Sequence, residues 1–189
     1  MKILCAEYNR EKEVAIVPVG DDVLLRNNGD FYIPEFSREV SCVPQLLVRI
    51  CKLGKSVGER FAGRYFEEMG VGVRFYGDSF EEELRGKGLP IGMASSFDCS
   101  AAMSGLVSVA DCREAVYVMS VNGVKVYEGS REGQAVGIER LVALSSDFHT
   151  MKIGDFLFCG GMFRYRGLKP DDRIQVCLNG KEMLDFRVK

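Results

Sequence analysis

The sequence predicts a strand-dominated α+β domain, and three observations carry that expectation. Two Asn-Gly dipeptides, Asn122-Gly123 and Asn179-Gly180, each separate runs of β-branched and alternating residues, which is the grammar of a two-residue hairpin. Short β-branched and aromatic runs recur along the chain. Helical spacing of apolar residues is confined to three short segments.

Taken in order, Lys2 to Cys5, Val14 to Val17 and Leu46 to Ile50 read as strands. Ser56-Val57-Gly58-Glu59 matches a capping box, Phe61 and Tyr65 fall on one helical face, and Gly70 reads as the stop, so a helix is expected there. Val71 to Phe75 is the next strand, and Ser79-Phe80-Glu81-Glu82 opens a second, shorter helix with Glu81 to Glu83 in a first turn that favours acidic groups. Val116 to Val121 and Val124 to Tyr127 flank the first Asn-Gly, whose tolerance of positive φ suits a type I′ turn. Val136 to Ser145 carries Ile138, Leu141, Val142 and Leu144 at helical spacing, and His149 follows near its end, where an imidazole caps carbonyls. Phe156 to Phe158, Ile174 to Leu178 and Met183 to Val188 complete the strands. No repeat, low-complexity tract or linker interrupts the chain, so one compact unit is expected.

Composition narrows the chemistry. The chain has 189 residues, 25 Lys+Arg against 27 Asp+Glu, and a single His. A formal charge of −2 argues against an electrostatic grip on nucleic acid or an anionic membrane. One imidazole excludes two-histidine metal sites and obliges any Ser-His or Cys-His pair to use His149. Glu7 and Arg10 interrupt the N-terminal apolar run too early for a signal peptide. The seven cysteines are scattered without a C-x-x-C pair, which suits reduced thiols in a cytoplasmic protein.

A collinear series of segments resembles the fumarylacetoacetate hydrolase family, in particular its short single-domain bacterial members. The series is Phe31 to Ser37, Leu53-Gly54-Lys55 to Arg64-Tyr65, Gly70-Val71-Gly72-Val73, Lys87-Gly88-Leu89-Pro90, Phe97-Asp98, Asn122-Gly123 and Lys152 to Phe158. The resemblance runs from about Phe31 to Lys189, with a weaker match at Met1 to Asn9 and a trimmed loop before Val14. It implies a mixed β-sandwich roll, effectively one domain, with residues 1–35 as a short N-terminal segment and 36–189 as the family's core domain. It also implies a homodimer. Active relatives are expected to hold Mg²⁺, Mn²⁺ or Ca²⁺ with three carboxylates and to cleave, decarboxylate or tautomerise acylpyruvate-like dicarbonyl acids, the cation acting as a Lewis acid.

Matched residue by residue, the resemblance puts Val43 and Gln45 at two of the cation-ligand positions and Arg74 at the third. Ser95 falls where the family has a Lys, Ser41 and Cys42 where it has His, and Cys159-Gly160-Gly161-Met162 where it has Thr-Gly-Thr-Pro. A guanidinium at a cation position repels the cation. The expectation is therefore a pseudoenzyme with respect to the metal chemistry, holding no cofactor. Its emptied pocket is lined by Cys42, Gln45, Arg74, Ser95, Asp98, Cys99, Cys159, Gly160 and Gly161. It would bind a small anionic metabolite or a protein partner; Arg74 reads either as a cation that holds a carboxylate or as one that reaches solvent or a local acid, and Arg164 and Arg166 either assist it or form an exposed basic loop. Two alternatives stand beside it: a divalent-metal-dependent hydrolase, decarboxylase or tautomerase of dicarbonyl acids, and a thiol sensor or soft-metal site using Cys42, Cys99 and Cys159.

Overall fold

The computed structural model describes residues 1–25 and 28–189. Strands β1 (Ile3–Tyr8), β2 (Val14–Val19), β3 (Leu24–Leu25), β4 (Val40–Ile50), β5 (Phe66–Gly77), β6 (Ala101–Met103) and β7 (Val107–Ser108) precede β8 (Tyr117–Val121), β9 (Val124–Gly129), β10 (Phe156–Phe158), β11 (Tyr165–Arg166), β12 (Arg173–Leu178) and β13 (Lys181–Arg187). Helices α1 (Glu59–Ala62), α2 (Asp78–Gly86) and α3 (Ile138–Phe148) lie between them. The larger sheet runs β2-β1-β10-β4-β5-β6-β3, with β11 also on β4 and β7 also on β5. The smaller sheet runs β13-β12-β8-β9. No described helix is long and apolar enough to cross a membrane.

Both Asn-Gly hairpins form as expected. Asn122 and Gly123 take φ 53° and 79°, and Asn179 and Gly180 take 49° and 79°, so each turn uses the left-handed region that these residues adopt at least cost. The two hairpins pair through β12 and β8. Their inward residues, among them Met119, Val121, Ile174, Val176 and Phe186, join Cys42, Leu46, Val48, Val71, Val73 and Phe75 of the larger sheet in the main core. The opposite face of the larger sheet carries a smaller cluster of Ile3, Cys5, Leu47, Ala101, Phe156 and Phe158. Side-chain alternation along each strand therefore sorts its residues onto two different surfaces.

The capping-box expectation is corrected. The first helix is a single turn, Gly58 stands at its N-cap without a side-chain bond, and Ser56 lies outside it at φ 50°. The chain enters β5 by Phe66, and Gly70 lies inside that strand, opposite Leu47. A Cβ at Gly70 would come within 2.7 Å of Ser104 Oγ and 2.9 Å of the Gly105 carbonyl, so the glycine serves close strand approach and not helix termination. In α2, Ser79 does not cap; its Oγ accepts from the backbone amides of Arg38 and Glu39, and Glu81 is in the first turn. The third helix starts two residues later than expected, at Ile138 behind Gly137, and His149 takes its C-cap position with its amide donating to Ser145 O.

The N-terminal segment is woven into the sheet. β1 pairs in parallel with β10 and antiparallel with β2. Asp155, 2% exposed, locks that junction by accepting from the Lys2 and Lys152 amides and pairing with Lys2 Nζ. Although burial opposes it, these donors hold its carboxyl below the ordinary 3.8.

Two expected outcomes follow from these contacts. Gly70→Ala lowers unfolding free energy by about 1–3 kcal/mol in urea titration, because the Ser104–Gly105 backbone has to shift. Asp155→Asn costs about 1–3 kcal/mol at pH 7, leaving buried donors unanswered. A depressed carboxyl stabilises above its ordinary pKa and loses that contribution as pH falls, so the deficit narrows below about pH 4.

Candidate active site

The site forms where β10 ends. Antiparallel pairing of β4 with β5 sets Ser41 opposite Tyr76, Val43 opposite Arg74 and Gln45 opposite Gly72. By alternation these six residues share one face, the face that also carries Cys5 and Glu7 of β1. β10 covers β1 only as far as Cys5, opposite Phe158. The chain then turns through Cys159 to Arg164, and Glu7 is left facing β5 across the gap. The opening is a cavity of about 220 Å³ lined by Glu7, Tyr8, Asn9, Val43, Tyr76 and Arg164, with Arg10, Arg166, Gly161 and Met162 around them.

Arg74 is 1% exposed. It donates from Nη1 to Cys5 Sγ and from Nη2 to Ser95 O at 2.5 Å, while Nη2 lies 3.8 Å from Glu7 Oε1. Its Nε has no hydrogen-bond partner. Tyr76 Oη donates to both carboxylate oxygens of Glu7 at 3.0 Å. Burial pushes the Glu7 carboxyl above its ordinary range, partly offset by the Arg74 charge and the Tyr76 hydroxyl. The same burial, reinforced by the Glu7 charge, pushes the Tyr76 phenol well up. Glu7, Arg74 and Tyr76 thus form one charged unit at the pocket wall, with Arg74 sealed behind the other two.

A second charged unit closes the other side. Arg164 donates from Nε to Ser41 Oγ at 2.6 Å, pairs through Nη2 with Asp78 at 2.6 Å and Glu81 at 3.3 Å, and lies 4.3 Å over the Tyr76 ring. Asp78 also accepts from Ser41 Oγ at 2.9 Å and pairs with Arg166 at 3.2 Å. Burial raises the Glu81 carboxyl, but hydrogen bonds and charge from Arg85 and Arg164 outweigh it and hold the group below its ordinary range. These contacts leave Nη1 of Arg164 and Nη2 of Arg166 without protein partners among the described residues.

The expected pocket residues separate into groups. Gln45, Gly160, Gly161 and Val43 come together: the Gly160 amide donates to Gln45 Oε1 at 2.6 Å, and a Cβ on Gly161 would lie 3.2 Å from Val43 Cγ1. Arg74 and Ser95 meet through the Ser95 carbonyl. Asp98 is exposed, and Cys99 is half-buried at φ 61° with its amide on Asp22 O. Cys42 and Cys159 are corrected: one residue out of phase with Val43 and Phe158, they face the main core on the far side of the sheet. Burial pushes the Cys42 thiol up strongly and the Cys159 thiol to about 12, so neither is the low-pKa thiol that a sensor needs. The thiol that meets Arg74 is Cys5, and burial still carries it to about 11.

Glu7, Tyr76 and Asp78 are the participants that sequence reasoning missed. The available signal was a lone carboxylate in phase with Cys5 at the end of an apolar strand, where an unanswered charge is costly.

The cation expected from the resemblance does not fit the residues present. Val43 offers no donor atom, and Gln45 Oε1 is engaged by the Gly160 amide while Gln45 Nε2 is buried without a partner. The third position holds a guanidinium. No group of three His, Cys, Asp or Glu suited to a metal ion occurs among the described residues. A hard cation needs a set of oxygen ligands to offset its dehydration.

Arg74→Met removes the counter-charge of Glu7 and is expected to cost about 3–5 kcal/mol at neutral pH, most of it recovered in Glu7→Gln/Arg74→Met. Because the stranded Glu7 escapes by taking a proton, the single variant's deficit shrinks as pH falls; parallel urea titrations at pH 7.5 and pH 5 check both signs.

No protein-family model matches the chain. It is 25% identical over 178 residues to the mouse mitochondrial oxaloacetate tautomerase FAHD1, covering 93% of this chain and 77% of that protein. To the human protein it is 24% identical over 195 residues, covering 97% and 87%. Among solved structures, a fumarylpyruvate hydrolase from Pseudomonas aeruginosa in complex with Mn²⁺ and pyruvate superposes with a TM-score of 0.88 at 17% identity, covering 100% of this chain and 89% of that one. A Yersinia pestis protein assigned to the fumarylacetoacetate hydrolase family superposes with a TM-score of 0.87 at 23% identity, covering 100% and 92%. The chain is thus similar along nearly its whole length to oxaloacetate tautomerases and shares, end to end, the fold of solved fumarylacetoacetate hydrolase family proteins.

Proposed function

We propose that the protein acts on a small dicarbonyl acid, a 2-oxo acid of the oxaloacetate or acylpyruvate type, in the pocket at the end of β10. The observation that carries this reading is the composition of that pocket. One wall offers unpaired guanidinium nitrogens of Arg164 and Arg166, and the other offers a carboxylate, Glu7, backed by Tyr76. Guanidinium groups suit a substrate carboxylate, and a positioned carboxylate suits proton abstraction next to a carbonyl. The cavity of about 220 Å³ is smaller than the roughly 300–1,000 Å³ of drug-sized sites, which favours a compact metabolite. The likeness to oxaloacetate tautomerases along the chain supports the same substrate class.

A second reading rests on Val43, Gln45 and Arg74 at the expected cation positions: a catalytically silent homologue that binds the same anion. Ultraviolet monitoring of oxaloacetate enol–keto interconversion separates the two. The enzymatic reading expects acceleration over buffer that EDTA leaves intact and millimolar Mn²⁺ does not raise beyond the metal-only blank. It also expects Arg164→Ala to raise KM by about tenfold through loss of a charged hydrogen bond. The silent reading expects oxaloacetate to raise Tm without any acceleration.

A further inference from the structure

We propose that Glu7 is the proton-transferring group of this pocket, exchanging a proton between carbon 3 and the carbonyl oxygen of the bound 2-oxo acid. The inference rests on the dicarbonyl-acid reading above and assigns its central step to a residue of β1.

Three observations place the role on Glu7. First, it is the carboxylate among the residues lining the cavity, and its side chain is one-third exposed there while its counter-charge Arg74 is sealed at 1%. The open side of the carboxylate therefore faces ligand and its charged support lies behind. Second, the group is held without being consumed. Tyr76 Oη bridges both oxygens at 3.0 Å, whereas Arg74 at 3.8 Å is beyond hydrogen-bond length. A carboxylate has about four lone-pair sites, so acceptor capacity remains toward the cavity. Third, Arg74 is fixed by its bonds to Ser95 O and Cys5 Sγ, the Ser95 bond using the Nη2 that faces Glu7, so the pair cannot relax into a tighter ion pair without losing those bonds.

The step balances without a co-reactant. A carbon 3 proton passes to the Glu7 carboxylate, the C–H electron pair becomes the C2=C3 double bond, and the carbonyl becomes an enolate whose charge faces Arg164. The Glu7 carboxylic acid then returns its proton to that oxygen. Only the C3–H bond and the C2=O π bond break, the π pair moving onto the oxygen that later takes the proton, and nothing is oxidised or reduced. Burial pushes the Glu7 carboxyl upward, toward the range where a carboxylate both accepts and releases a proton efficiently. The charged and titratable groups facing it are Cys5 on its own strand, Arg74 and Tyr76 on β5, Arg164 before β11, and Glu81 on α2.

The test uses the full chain and oxaloacetate as probe, with wild type, Glu7→Gln, Glu7→Asp and Tyr76→Phe. Glu7→Gln is expected to lose at least about 100-fold in kcat and the acid limb of the pH profile, while oxaloacetate still raises its Tm. Glu7→Asp recovers part of the rate. Tyr76→Phe removes the hydroxyl that stabilises the carboxylate, so its acid limb moves to higher pH, and this variant carries the test if Glu7→Gln fails to fold. A folded Glu7→Gln within threefold of wild type, or a Tyr76→Phe profile that does not move, overturns the role of Glu7 and leaves the dicarbonyl-acid reading standing. Wild type that gives no acceleration over buffer overturns that reading, and the role of Glu7 falls with it.

Discussion

The antiparallel register of β4 against β5 is the constraint on which the rest of the molecule depends. Eleven residues of β4 pair with β5, and a slip of one turns the slipped strand over: β4 would send Val43 and Gln45 into the main core, and β5 would send Arg74 there. A guanidinium buried in that core, among Met119, Val176 and Phe186, would be prohibitive, so the charge of Arg74 itself selects which face of β5 meets the smaller sheet. The same phase decides which surface meets the smaller sheet and which meets β1.

Once the register is set, Arg74 imposes a second requirement. A guanidinium so buried needs acceptors and a counter-charge, and the fold supplies them from separate stretches of chain: Cys5 Sγ on β1 and Ser95 O before β6 accept, and Glu7 on β1, held by a hydrogen bond from Tyr76, supplies the charge. The parallel pairing of β1 with β10 is what brings Glu7 within reach, and the Asp155–Lys2 lock holds that pairing. Stability and chemistry share this route, because the contacts that neutralise Arg74 also pose the Glu7 carboxylate at the cavity wall. On the opposite wall, Asp78 holds Arg164 and Arg166 by one side each, orienting guanidinium groups that would otherwise be free to roam.

Much of this was legible in residues. Both Asn-Gly hairpins, β10 and the strand-dominated class follow from turn chemistry and alternation, which act over a few neighbours and need no tertiary context. The helix over Ser56 to Gly70 was misread because a capping-box pattern and a terminal glycine describe local preference. Gly70 instead answers a long-range demand, the close approach of Ser104 and Gly105. The cysteines were misplaced for a similar reason: matching Cys42 and Cys159 to pocket segments ignores the half-turn of phase that turns a strand neighbour to the other face.

The sequence by itself determined the fold class, the family likeness and which residue types, Val43, Gln45 and Arg74, the strands β4 and β5 carry to one face. These are properties of residue type and order, and they survive without coordinates. Only the tertiary structure decided what answers Arg74. Glu7 is 67 positions from it in the chain, Tyr76 belongs to the same strand, and Asp78 reaches Arg164 across 86 residues. Desolvation makes each of those charges intolerable alone, and which partner relieves it depends on a meeting in space that no local pattern records.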